Sequence, residues 1–149
     1  MQKLDEFLLR NVEGYLFDDL ETLKNAPQPE GRVGGAVVYP LLVTTFAGIE
    51  LLGGLVGTNK YASHADPARF EYFWRTYLYP GDAVRAAAGK VLYKLARHGL
   101  AHAFVVKGNL LVGKGGRSER HLTRGPGDEL YVDAALLAAD LRAAYFDKI

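Results

Sequence analysis

The stretch Val37-Val38-Tyr39-Pro40-Leu41-Leu42-Val43-Thr44-Thr45-Phe46-Ala47-Gly48-Ile49-Glu50-Leu51-Leu52-Gly53-Gly54-Leu55-Val56-Gly57 decides the fold. It lies in a run from Arg32 to Lys60 that holds one internal charge, Glu50. That run is long enough to span a bilayer. Against spanning stand Pro40, Thr44, Thr45 and the series Gly48, Gly53, Gly54, Gly57, and a carboxylate near the middle is costly in lipid. A helix buried on all sides in a bundle fits better, because such a helix is apolar all round. Residues 36–57 are therefore expected to form a central helix, with no membrane partner.

The rest of the chain supplies the helices around it. Leu4, Phe7, Leu8, Val12, Tyr15, Leu16, Leu20 and Leu23 recur at three- and four-residue spacing, an amphipathic helix with acids on its other face. Ala26 to Gly35 is rich in proline and glycine and reads as a linker. Residues 58–65 form a polar loop, and Asp66-Pro67 opens a helix with an N-cap and an N1 proline. Phe70, Phe73, Trp74, Tyr77 and Leu78 give it an aromatic stripe suited to a core. Pro80-Gly81 ends it, and Asp82 caps a helix carrying Val84, Ala87, Ala88, Val91, Leu92, Leu95 and Ala96. Phe104-Val105-Val106 and Leu110-Leu111-Val112 then flank Lys107-Gly108-Asn109 as a small β-hairpin. Gly113 to Gly127 reads as a loop and Leu130-Tyr131-Val132 as a further short strand. Asp133 caps a last helix with Leu136, Leu137, Leu141, Ala144 and Tyr145. The sum is a mainly α chain: an up-and-down bundle of about five helices with a hairpin before the last. It forms one domain over 1–149, with an N-terminal helix and linker in 1–30 and a core in 36–147.

Composition bounds the chemistry. The 149 residues are 49% hydrophobic and 23% charged, enough to bury one core and too apolar for a disordered tail. With no cysteine there is no disulfide, thiolate nucleophile or Cys-type zinc site, and a reducing, cytoplasmic setting is the expectation. Met1-Gln2-Lys3-Leu4-Asp5-Glu6 is not a signal-peptide start. The net charge of +1 conceals blocks: −4 over residues 1–30, +4 over 31–102, +4 over 103–124 and −3 over 125–149. A basic middle can face phosphates, or it can be solubility patterning.

Two metal or nucleotide readings fail. Gly108 to Gly115 nearly spells a P-loop, but Gly115 stands where a hydroxyl is needed, the loop interior is bulky, and no helix follows. His98 and His102 are four apart, yet Gly99 follows His98 directly and no third ligand is evident beyond Glu50. No metal and no cofactor are expected.

What remains is Leu92-Tyr93-Lys94-Leu95-Ala96-Arg97-His98-Gly99-Leu100-Ala101-His102: an Arg, a polar residue, three more and a His. Arg97 follows a long apolar face, so its guanidinium belongs at the edge of the core, and a bend near Gly99 would bring it to His102. Glu50 is costly to bury without a cation, and Arg97 or His102 is the natural partner. Together with Phe104 and Lys107-Gly108, this segment resembles the signature of HEPN-like proteins, small helical domains of prokaryotic toxin–antitoxin, abortive-infection and CRISPR-associated systems. Gly48 to Gly54 and the Phe70/Phe73/Trp74 helix are similar to a group of bacterial HEPN-like chains. The likeness covers residues 36–147. Where the family often has Asn or Asp after the Arg, this chain has His98.

The resemblance implies metal-independent RNA cleavage, in which the 2′-OH attacks the adjacent phosphate. A histidine near its unperturbed pKa of about 6.5 suits the proton transfers, and a guanidinium fork suits the phosphate oxygens. His102 is then the general base or acid, Arg97 the phosphate clamp and His98 a positioning or second proton group. Glu50 would orient Arg97, with Tyr93 supporting. Lys107, Lys114, Arg117, Arg120 and Arg124 would grip the RNA backbone. A homodimer would bring two motifs together, and an antitoxin or other protein partner is implied. Plainer structural readings exist: an Arg97–Glu50 ion pair pinning two helices, a satisfied His102 at a helix end, a solvent-facing His98 and an ordinary basic loop. Under those readings the chain is a non-catalytic helical dimer serving as a structural or interaction module.

Overall fold

The computed structural model describes residues 2–31, 37–57, 66–94, 108–115 and 118–149. Within them lie five helices and a small three-stranded mixed sheet placed before the final helix. The first helix, α1, is continuous but changes its winding: α-helical over Gln2–Phe7, π-helical over Leu8–Phe17 and α-helical again over Asp18–Asn25. In π winding, residue i bonds to i+5. Val12 and Phe17 are five apart and both buried, whereas Tyr15 is 58% exposed. The three- and four-residue stripe expected here is thus corrected: Tyr15 leaves the inner face and Phe17 takes its place.

The second helix, α2 (Val38–Val56), starts at Val37, whose φ of 56° is left-handed and unfavourable for a β-branched residue. Pro40 falls in its first turn, where a missing N–H removes no hydrogen bond. By length and composition α2 is long and apolar enough to cross a membrane, and 44% of its most apolar stretch is buried inside the protein. Leu41, Leu42, Phe46, Ile49 and Leu52 are buried, and the Thr45 hydroxyl donates to the Leu41 carbonyl. Burial on all sides, however, is not what the helix shows. Ala47, Leu51 and Leu55, four apart, form an exposed stripe, because neighbouring elements cover only the other faces.

The third helix, α3, runs as an α-helix over Asp66–Phe73 and as a π-helix over Trp74–Leu78. Its expected aromatic stripe is the centre of the core: Phe70, Phe73 and Trp74 are fully buried. Phe70 meets Phe46 at 5.4 Å and Trp74 at 5.5 Å between ring centroids. Gly53 lets α2 close on α3, since a Cβ there would strike the Arg69 carbonyl. The fourth helix, α4 (Ala83–Leu92), is capped as expected by Asp82, whose Oδ1 accepts from the Arg85 N–H at 2.9 Å. Gly89 permits α4 to lie on Trp74: a Cβ there would be 2.5 Å from Trp74 Cδ1. The indole N–H is satisfied by the Arg85 carbonyl at 2.8 Å.

The sheet has the order β1 (Leu110–Gly113), β3 (Leu130–Asp133), β2 (Thr123–Arg124). β1 runs parallel to β3 with Leu110 opposite Leu130, and β2 runs antiparallel to it with Thr123 opposite Tyr131. Strand 110–112 of the expected hairpin is therefore present, and it pairs with β3. Its expected mate, 104–106, lies outside the described residues. Residues 113–127, expected as a loop, contain β2 and a 3₁₀ turn at Ser118–Arg120. The last helix, α5 (Ala134–Lys148), is capped by Asp133, whose Oδ1 accepts from Ala135 N at 3.0 Å and Leu136 N at 3.1 Å. α5 packs on α2, and on α1 through Phe17 against Tyr145 at 5.1 Å and the Tyr145 hydroxyl donating to Glu13 at 3.1 Å. One continuous hydrophobic cluster joins all five helices and the sheet.

Candidate functional site

Arg97, His98, His102, Lys107 and Arg117 lie outside the described residues. Two supporting residues of that constellation, Glu50 and Tyr93, lie inside them. Glu50 stands half-buried on α2 between two contacts with α3: Phe46 on Phe70, and Gly53 on Arg69. Tyr93, at the end of α4, meets the same Phe70 with its ring centroid at 5.2 Å. Two residues 43 positions apart in sequence thus come to one level of the bundle, that of Arg69–Phe70 on α3.

The described members of the basic stretch each have an internal partner. Lys114 Nζ donates to the Leu23 carbonyl at 3.2 Å and the Ala26 carbonyl at 2.6 Å, which closes the carboxyl end of α1. The Arg120 guanidinium lies over the Tyr131 ring at 5.4 Å. Arg124 pairs with the exposed Asp128 at 3.0 Å.

A second polar constellation, which the sequence reading did not anticipate, joins the sheet to the bundle. Tyr79, at the end of α3, is 6% exposed and donates a hydrogen bond to Asp140 Oδ2 at 2.6 Å. His121 is 3% exposed, with Nε2 3.4 Å from the Tyr79 hydroxyl and 3.7 Å from Asp140 Oδ2. His121 Nδ1 accepts from the Asp133 N–H at 3.0 Å. That acceptor role assigns the neutral-ring proton to Nε2, facing Tyr79 and Asp140. Burial opposes charge on Asp140, but the His121 and Tyr79 hydrogen bonds outweigh it and hold the carboxyl below its usual range. Burial first, and the Asp140 charge second, push the Tyr79 phenol far above its ordinary value, so it remains a donor. Arg85 stacks over the Tyr79 ring at 5.7 Å. Next to His121, Leu122 is buried with a φ of 59°, a left-handed conformation costly for leucine. The carboxylate of Asp140 is the wet end of this network, with 41% of its side chain exposed.

Chemically this arrangement is a lock. Both ring nitrogens of His121 are engaged, and the Tyr79 proton is held by a charged acceptor. No sequence signal marked it, because residues 79, 121 and 140 sit on different elements. Among the described residues no group of three or more His, Asp or Glu side chains is arranged to hold a metal ion, and no buried side-chain nitrogen or oxygen lacks a hydrogen-bond partner. Comparisons with protein-family models, with curated proteins and with solved structures find no match to this chain.

Proposed function

We propose that this chain is a HEPN-like, metal-independent endoribonuclease acting in a cytoplasmic toxin or defence setting, with RNA as substrate. The observation that carries the reading is the position of Glu50. The lone acid of the most apolar helix is half-buried at the level of Tyr93, where the segment bearing Arg97, His98 and His102 begins. A carboxylate there can orient a guanidinium from that segment. The RNA 2′-OH attacks the adjacent phosphate and the 5′-oxygen leaves, giving a cyclic phosphate. His102 moves the proton, Arg97 holds the phosphorane charge, and His98 positions the strand or serves as the second proton group. The test is cleavage of an RNA pool by the purified chain in the presence of a chelator. Arg97→Ala and His102→Ala are each expected to lower the rate by about 10²-fold or more, with Glu50→Gln showing a smaller loss. Variants as active as the parent would remove the reading.

A second reading has its own support. Lys114, Arg120 and Arg124 are engaged within the chain, so the described part of the basic stretch has internal work to do. This favours the non-catalytic alternative, a helical dimer acting as a structural or interaction module. RNA cleavage that depends on Arg97 and His102 decides against it.

A further inference from the structure

The last helix has apolar residues on both long faces. Leu137, Leu141, Ala144 and Tyr145 are buried on one side. On the other, Leu136, Ala139, Ala143 and Phe146 recur at spacings of three, four and three; Leu136 is half-buried and the other three are exposed, Phe146 to 48%. Those spacings are the a and d positions of two heptads, an outward-facing seam. Arg142 precedes an a position and so is a g residue, and Asp147 follows a d position and so is an e residue; both are exposed.

The charges specify the partner. In a parallel helix pair, a g side chain of one strand meets the e side chain five positions further on in the other. Arg142 and Asp147 have that spacing and opposite sign, and a two-fold axis would form the pair twice. They cannot pair within their own helix, since residues five apart lie about 140° apart around it. An antiparallel arrangement would set each flank against its own kind. The Arg142 guanidinium already lies along the seam, 4.5 Å over the Phe146 ring. Ala139, Ala143 and Phe146 of the seam form one wall of a groove of about 300 Å³ whose other wall is Phe17, Leu20, Glu21 and Lys24 of α1. Alanines at the middle of the seam allow the short interaxial distances of helix pairs, about 8 Å at the closest.

We propose that this face of α5 seats α5 of a second copy of the chain, parallel and side by side. Ala139 and Ala143 form the close contact, Leu136 and Phe146 flank it along the seam, and Arg142–Asp147 pairs bridge both edges. The inference stands on α5 itself and holds whether or not the chain cleaves RNA.

Sedimentation of the full chain on the order of 100 µM tests it. The parent is expected to be dimeric. Ala143→Glu, at an exposed position, is expected to be monomeric with unchanged circular dichroism. Arg142→Asp and Asp147→Arg are each expected to weaken dimerisation about tenfold, and their combination to restore it within about threefold. Because the chain has no cysteine, Ala143→Cys gives a single thiol that a parallel pair would bring opposite its copy. Mild oxidation should cross-link it, while Thr76→Cys on α3 should not cross-link. A monomeric parent, a dimer indifferent to Ala143→Glu, a double reversal no better than the single ones, or no Ala143→Cys cross-link would each overturn the proposal.

Discussion

Tyr79→Phe removes one hydroxyl from the buried network and changes little else. The hydroxyl donates to a charged acceptor, Asp140, at 2.6 Å from a position 6% exposed. Hydrogen bonds to charged groups contribute about 1.5–3 kcal/mol. Because 41% of the Asp140 side chain is exposed, solvent screening brings the expectation to about 1–2 kcal/mol. His121 keeps its bond to the Asp133 N–H, so the sheet stays attached. Urea unfolding should show that loss at neutral pH with an unchanged m-value. Acid should erase the difference. The carboxyl of Asp140 is held below its usual 3.8, so its stabilisation is fully present above that value and disappears as the pH falls through the lowered one. Tyr79→Phe and parent should therefore converge as the pH falls well below the ordinary carboxylate value. Alkali acts the other way. The phenol is raised in the folded chain, so above about pH 10, where an unfolded tyrosine ionises, the parent loses stability that Tyr79→Phe keeps. A loss below about 0.5 kcal/mol at neutral pH, or one that persists in acid, would refute the reasoning.

Asp133→Ala leaves the Ala135, Leu136 and Gly115 amides without their carboxylate acceptor, and chemical denaturation should show a loss of about 2–4 kcal/mol. Gly89→Ala would gain about 1 kcal/mol on an exposed helix. Here its Cβ would meet Trp74, and overpacking of about 1–3 kcal/mol should lower the thermal midpoint and shift the emission of the single tryptophan. Lys114→Met removes the cation that closes α1, so amide exchange at the end of α1 should quicken while affinity for RNA stays the same; the reverse pattern would make Lys114 a phosphate contact.

The caps and the core were legible in the sequence for a physical reason. Asp82 and Asp133 each follow a chain reversal or strand and precede an apolar period, and each accepts amide protons as that pattern predicts. The aromatic stripe at 70–78 could scarcely be anything but core. Other features depend on information a single chain pattern lacks. Hydropathy shows that residues 36–57 avoid water but does not count their neighbours, and the Ala47–Leu51–Leu55 side of α2 is left uncovered. A short apolar run after Gly108-Asn109 marks strand 110–112 but does not name its mate, β3, which follows β2 in sequence and runs parallel to β1. The π winding of 8–17 turns Phe17 inward against an α-helical reading. Tyr79, His121 and Asp140 meet only through tertiary packing. Of the expected site, Arg97, His98 and His102 lie outside the described residues, while Glu50 is half-buried on α2 and Tyr93 meets Phe70 at the end of α4.

The most direct test of the account is the chemistry of the cut. The purified chain, with chelator present, is offered an RNA pool and the same sequences with 2′-O-methyl riboses. Cleavage of the first is expected, with 2′,3′-cyclic phosphate ends that are lost in Arg97→Ala and His102→Ala, and none of the second. An intact RNA pool, or equal cleavage of both substrates, would contradict it.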